Sequence, residues 1–203
     1  MAVTYPKHAK ALKGALADLG VAEEPDGSNT GRRVREYQAS TWLGGTGWPW
    51  CVAFAIFHAL KAGFKLPYLG AGAYKFLDWA RSVGWAVPAG AAVPGDFVVF
   101  NIGAGHLAVL QKKVKDGRVK TVDGNVDNAV ELRDRPLSQV RGFVHLPEKP
   151  VKVKTPRPPV FEVVTAADGQ KTIYVSGARA IGRNLARFLR RHPAGVTIRR
   201  RRP

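Results

Sequence analysis

Residues 51–62, CVAFAIFHALKA, are apolar almost all the way round a helix, and the run stops at Gly63. A helix without a polar face must be enclosed on every side, so the rest of the chain has to wrap around it. Gly63 supplies the left-handed residue that commonly ends a helix. The run contains His58 and falls short of the ~20 apolar residues that a membrane span requires, so it predicts a buried central helix. Its first residue, Cys51, is the only cysteine among 203 residues. A single cysteine excludes an intrachain disulfide and leaves no mark of an oxidising compartment.

Helical spacing precedes this run and alternation follows it. His8, Leu12, Ala15, Leu16 and Leu19 recur on one helical face before Gly20. Residues 23–31, EEPDGSNTG, are dense in turn formers, and a short helix is expected over 31–39. Residues 41–50 are rich in Gly and Trp with no period, which reads as an ordered loop leading into Cys51. A further helix is expected over 74–83. After the Pro94-Gly95-Asp96 turn, strands are expected over 97–102, 106–112, 119–122 and 142–146, with Lys115-Asp116-Gly117 as a hairpin turn. Helices first and an antiparallel sheet after make an α+β domain over 1–147.

Residues 148–159, EKPVKVKTPRPP, hold four prolines and four basic residues, the composition of an extended, semi-rigid linker. Beyond it, strands over 160–165 and 171–175 flank Asp168-Gly169. A helix over 177–192 and a strand over 196–199 would complete a small basic β-β-α-β module at 160–203. Its helix would place Ile181, Leu185, Phe188 and Leu189 on one face and Arg179, Arg183, Arg187, Arg190 and Arg191 on the other. Residues 149–203 carry 14 Lys/Arg against Glu162 and Asp168, whereas residues 1–148 carry 18 against 13, so the tail supplies most of the formal charge of +17. A field of that sign attracts polyanions: nucleic acid, anionic lipid or the phosphate and carboxylate polymers of a bacterial wall.

Cys51 stands where chemistry is expected. A free thiol with a pKa near 8.5 is mostly protonated at neutral pH, and a helix N-terminus and an adjacent imidazolium both favour the thiolate. His106 follows Gly103, Ala104 and Gly105, where backbone bulk is small and substrate can approach. Asp123 ends the next strand, where an antiparallel neighbour can orient the imidazole, and Asn125 competes for that role. Together they supply a nucleophile, a general acid/base and an orienter. The backbone N–H of Cys51 is the expected oxyanion donor.

Five short motifs carry a family resemblance: Glu24-Pro25-x-Gly27-Ser28-Asn29-x-Gly31, Trp50-Cys51-x-x-Phe54, Pro94-Gly95-Asp96-x-x-x-Phe100, Gly105-His106-x-Ala108-Val109 and Asp123-Gly124-Asn125. In this order, over roughly residues 8–146, they resemble the CHAP family of cysteine- and histidine-dependent amidohydrolases/peptidases. That family shares a papain-like fold with the NlpC/P60 hydrolases. The resemblance implies a Cys–His pair with a third polar residue, and peptidoglycan as substrate. The family often places Glu in a Glu-x-Asn at the third position; here it is Asp123. The expected activity is that of an endolysin-like amidase or endopeptidase of the bacterial cell wall. It would be made in a host cytoplasm without a signal peptide, since residues 1–20 lack an h-region, and would act on the wall after release. No cofactor, metal, specific nucleic acid or transmembrane segment is called for. Anionic wall polymers would be partners of the tail, and a monomer is expected.

Several residues carry competing readings. Tyr37 is a possible oxyanion donor, although a core-packed helix residue is the preferred reading. Trp42, Trp48 and Trp50 either line the cleft or wedge the loop, and Asn29 orders a loop at the cleft edge. Glu23, Glu24, Asp26 and Asn29 invite a calcium reading but lack the spacing of a recognised loop. His58 and His145 read as structural and Asp96 as a turn residue. One rival is a zinc amidase built on His106, His145 and Asp123, which would leave Cys51 unexplained. The other is a basic nucleic-acid-binding or structural phage protein.

Overall fold

The structure is a computed structural model that describes residues 5–148, 162–166, 172–175 and 196–200. Contacts divide the chain into two units, Met1–Lys152 and Val153–Pro203.

The first unit begins with four helices: α1 (Pro6–Ala17), α2 (Arg32–Gln38), α3 (Cys51–Ala62) and α4 (Ala73–Ser82). The all-apolar run is α3, and only Leu60 and Lys61 of its twelve residues escape burial. Gly63 ends it in the left-handed conformation at φ 94°. Helix α1 approaches α3 closely because Gly14 has no side chain; a Cβ there would lie 2.8 Å from His58 Nδ1.

Six antiparallel strands follow: β1 (Ala86–Val87), β2 (Phe97–Phe100), β3 (His106–Leu110), β4 (Arg118–Val126), β5 (Ala129–Pro136) and β6 (Val140–Val144). Their order across the sheet is β1-β6-β2-β3-β4-β5. All residues of β2 and β3 are buried, as a central strand pair covered on both faces should be. Val98, Phe100, Ala108, Leu110, Val119 and Phe143 form one cluster, closed by the partly buried Val87, Ala89, Val114, Leu137 and Val140.

The expected turn at residues 115–117 is present, with Asp116 and Gly117 both at positive φ. The strand β5 was not anticipated. It is joined to β4 by a two-residue turn in which Asp127 (φ 48°) and Asn128 (φ 62°) take the paired left-handed conformations of a tight hairpin. Val130 near its start is buried, but beyond it Glu131, Arg133 and Arg135 are half-buried while Leu132 is 48% exposed. Hydrophobic alternation is therefore lost after Val130, and the strand gives a weak apolar signal in the sequence.

In the second unit β7 (Glu162–Ala166) pairs antiparallel with both β8 (Thr172–Val175) and β9 (Val196–Arg200). The expected linker, the Asp168-Gly169 turn and the helix over 177–192 lie outside the described residues. Glu148, assigned to the linker from composition, is bound to α1: its Oε1 accepts from the Lys7 backbone N–H at 3.0 Å and lies 3.5 Å from His8 Nδ1. Among the described residues no helix is long and apolar enough to cross a membrane.

Candidate active site

Cys51 is the first residue of α3, with Trp50 as its N-cap. The first intrahelical bond runs from the Phe54 N–H to the Trp50 carbonyl at 2.9 Å. The amides of Cys51, Val52 and Ala53 thus stand outside the helix's own ladder and concentrate positive potential at the thiol. The adjacent strand β3 brings His106 to that point. The imidazole uses Nε2 to meet Asp123 Oδ2 at 2.7 Å, which leaves Nδ1 as the ring nitrogen available to the thiol. Asp123 is fully buried in β4, and Cys51 and His106 are nearly so, at 7% and 8% exposure.

The three groups bias one another toward charge separation. Burial pushes the Cys51 thiol up, but the hydrogen bond and positive charge of His106, helped by the Leu107 and Val52 N–H groups, bring it below its ordinary value. Burial works against a charged His106, yet its bonds to Asp123 and Cys51 outweigh this and raise it to about 9. Asp123 is likewise pushed up by burial and pulled lower overall by His106, Arg135 and Thr121. A thiolate–imidazolium pair braced by a carboxylate is the arrangement a cysteine nucleophile requires.

Of the two candidates for the third position, Asp123 touches His106 and Asn125 does not. The Asn125 amide is satisfied elsewhere: in the orientation that pairs both ends, its nitrogen donates to Glu23 Oε1 at 3.1 Å and its oxygen accepts from the Trp50 N–H at 3.1 Å. The pairing of β4 with β5 is irregular between Asp123 and Val126, and Asn125 takes φ 61°. This kink turns successive side chains to different tasks. Gly124 has no room for a side chain, since a Cβ would lie 2.7 Å from Phe54 and 2.8 Å from Trp50.

The remaining expectations divide by burial. Tyr37 is fully buried and its hydroxyl donates to Asp18 Oδ2 at 2.7 Å. Burial and that carboxylate raise its pKa, so its proton is committed to Asp18 and it is no oxyanion donor. Trp50 is fully buried, stacked on Tyr37, and its indole N–H donates to Glu23 Oε1 at 2.9 Å. It wedges the loop and does not line a cleft. Trp48 is half-buried and pinned by its indole N–H to the Gly44 carbonyl at 2.9 Å. Asn29 acts through its backbone: its N–H donates to Glu23 Oε2 at 2.7 Å, and its carbonyl accepts from Gln38 Nε2 at 3.0 Å. Gly105, at φ 105°, makes room for the ring of Tyr74, which would lie 2.9 Å from a Cβ. Its glycine requirement is thus one of packing beside His106 as well as of backbone conformation.

Two metal readings fail on geometry. Glu23, the most buried carboxylate of the calcium candidates, is occupied by N–H donors, and Asp26 accepts from Asn128 Nδ2 at 2.9 Å. The zinc set is not assembled either, because His145 Nδ1 lies 2.8 Å from Asp96 Oδ1 and not beside His106. His8 Nε2 lies 3.1 Å from the same oxygen. The His8 and His145 rings are stacked, with centroids 4.4 Å apart at 10°. His145 is aligned to hydrogen-bond Asp96 Oδ1, while His8 Nε2 is near it without alignment.

At this centre the sequence reading weighed Glu23 only as a calcium ligand and missed Arg135 altogether. Glu23 braces Trp50, Asn29 and Asn125 just ahead of the nucleophile, and Arg135 holds Asp123 from β5 at 2.7 Å. A carboxylate in a turn-rich stretch and an arginine in a charged one look like surface residues unless the pairing is known.

No curated protein and no solved structure was matched by the chain. Residues 43–125, which span Cys51, His106, Asp123 and Asn125 but end before Arg135, match the family model described as the CHAP domain.

Proposed function

We propose that the protein is an endolysin-like peptidoglycan hydrolase that cleaves an amide bond of the stem peptide or of its junction with muramic acid, using Cys51 as nucleophile. The observation that carries this reading is the Cys51–His106–Asp123 row at the start of α3, with the Nε2–Oδ2 contact at 2.7 Å. The CHAP match supports the substrate class.

In the first half-reaction the thiolate sulfur attacks the amide carbonyl carbon, and the developing oxyanion accepts from the Cys51 backbone N–H at the helix N-terminus. The imidazolium of His106 gives its proton to the leaving nitrogen as the C–N bond breaks, leaving a thioester and neutral His106. Water then attacks the thioester, His106 takes its proton, and the C–S bond breaks to release the carboxylic acid and restore the thiolate–imidazolium pair. Asp123 fixes the ring throughout. The basic residues after 149 hold the enzyme on anionic wall polymers.

Replacement of Cys51 by Ala tests this reading directly. Lysis of purified walls should be abolished with the melting temperature preserved, iodoacetamide should inactivate the unaltered protein at one equivalent, and a chelator should not. Full lytic activity in Cys51→Ala would refute it.

A further inference from the structure

Arg135 lies beyond the matched residues, on the strand that the sequence did not reveal. Its Nη1 lies 2.7 Å from Asp123 Oδ2, the same oxygen that His106 Nε2 meets. The other carboxylate oxygen, Oδ1, accepts from the Thr121 hydroxyl. Both oxygens of Asp123 are therefore occupied before any substrate arrives. The guanidinium carbon sits 4.8 Å above the Phe100 ring centroid, and the Arg135 side chain is only 13% exposed. An arginine held between an aromatic face and a buried carboxylate has little freedom to leave.

The charges around this carboxylate come from four elements. Cys51 on α3, His106 on β3, Asp123 on β4 and Arg135 on β5 form a row of alternating sign when the thiol is ionised. The neighbouring Arg133 is paired with Asp127 and Glu131. On the far side Glu23 faces Asn125 and Trp50. Without Arg135 the row would carry one uncompensated negative charge in a buried setting, where unbalanced charge is costly.

We propose that Arg135 is a positioning residue for the Cys51–His106 pair, clamping the Asp123 carboxylate in one orientation against the imidazole and completing a charge-neutral row. Its catalytic meaning rests on the cysteine-hydrolase reading above. Its test does not, because thiol alkylation reports on the pair without any wall substrate.

The experiment measures the rate of Cys51 alkylation by iodoacetamide against pH in the full-length protein, alongside the melting temperature and the pH profile of wall lysis. Three variants are compared: Arg135→Gln, Arg135→Met and Arg135→Lys. Loss of the positive charge favours the protonated form of both partners, so Arg135→Gln should move the alkylation midpoint up by about one pH unit. Both limbs of the lysis profile should move the same way. Arg135→Lys, which keeps the charge without the planar fork, should fall between Gln and the unaltered protein. Arg135→Met keeps the side-chain bulk over Phe100 and carries the same readout if the Gln variant does not fold. An unchanged alkylation profile in a folded Gln or Met variant would overturn the proposal. So would loss of the fold in both, which would make the ion pair purely architectural. A shifted alkylation profile in a protein that never lyses walls would sustain Arg135 and sink the hydrolase reading instead.

Discussion

His106 divides its two nitrogens between a carboxylate and a thiol, and that division sets the pH window in which the pair can work. Its imidazolium persists to about pH 9 because Asp123 and Cys51 hold the proton, while the thiol ionises below its ordinary range. Hydrolysis needs both ions at once, so the rate should be bell-shaped, with its alkaline limb near pH 9 where the proton destined for the leaving amine is lost. Asp123→Asn removes the charge that raises His106 and should draw this limb to lower pH. Asn125→Ala should leave the limb in place and show its cost in stability, because the Asn125 amide contacts Glu23 and Trp50. A shift of equal size in both variants would contradict the orienting role given to Asp123. His106→Ala should cost on the order of 10²–10⁴-fold in rate at every pH.

At the scale of elements, the seam between α1 and α3 should contribute to acid sensitivity. His58 is buried in the middle of α3, with Nε2 3.1 Å from Asp18 Oδ2 but not aligned for a hydrogen bond. Burial lowers its pKa from 6.5 to about 4, despite the nearby Asp18 carboxylate. A depressed histidine stays neutral in the native state while the unfolded chain takes up a proton. The stability it contributes is therefore complete above about pH 6.5 and lost as pH falls toward 4, a change of about 3 kcal/mol. Melting curves at pH 7 and pH 4.5 should show this loss, and His58→Leu should reduce it. Equal acid sensitivity in the two proteins would remove His58 as the cause. Gly14→Ala should destabilise at both pH values, since its methyl would meet His58 Nδ1 at 2.8 Å.

The same scale shows what could be read in advance. Helix α3 was legible to the residue because a run with no polar face has one stable fate and Gly63 marks its end. Strands β2, β3 and β6 were legible through their apolar content, and Cys51 and His106 followed from where α3 and β3 begin, whereas Asp123, expected at the end of a strand, lies within β4 (Arg118–Val126). Strand β5 was hidden, because beyond Val130 its half-buried residues are charged and are satisfied by partners on β4, in the hairpin turn and on β5 itself. Arg135 was lost with it. Tyr37 and Trp50 keep two readings in the sequence because an aromatic near a nucleophile has two fates; which one holds depends on Asp18 and Glu23, distant in sequence.

For the whole molecule, the division near Lys152 sets how the basic tail should be tested. Truncation at residue 146 would remove Glu148, whose Oε1 accepts from the Lys7 backbone and whose carbonyl accepts from Lys7 Nζ at 3.0 Å. That cut would loosen α1 and confuse a fold effect with a binding effect. Ending the chain after Lys152 keeps these contacts and removes most of the basic excess, since residues 149–203 carry 14 Lys/Arg against two acidic groups. If the tail acts as a tether, it raises the concentration of enzyme at the wall without entering the chemical step. The truncated protein should then turn over small soluble muropeptides at an undiminished rate but bind whole walls more weakly. Exposed charges are screened over about 8–10 Å at physiological salt, so wall binding of the full chain should fall steeply as salt rises. Binding of the truncated form should respond much less, and walls stripped of anionic polymers should bind both forms alike. If muropeptide turnover and melting temperature fall together on truncation, the tail completes the catalytic unit and the tether is refuted.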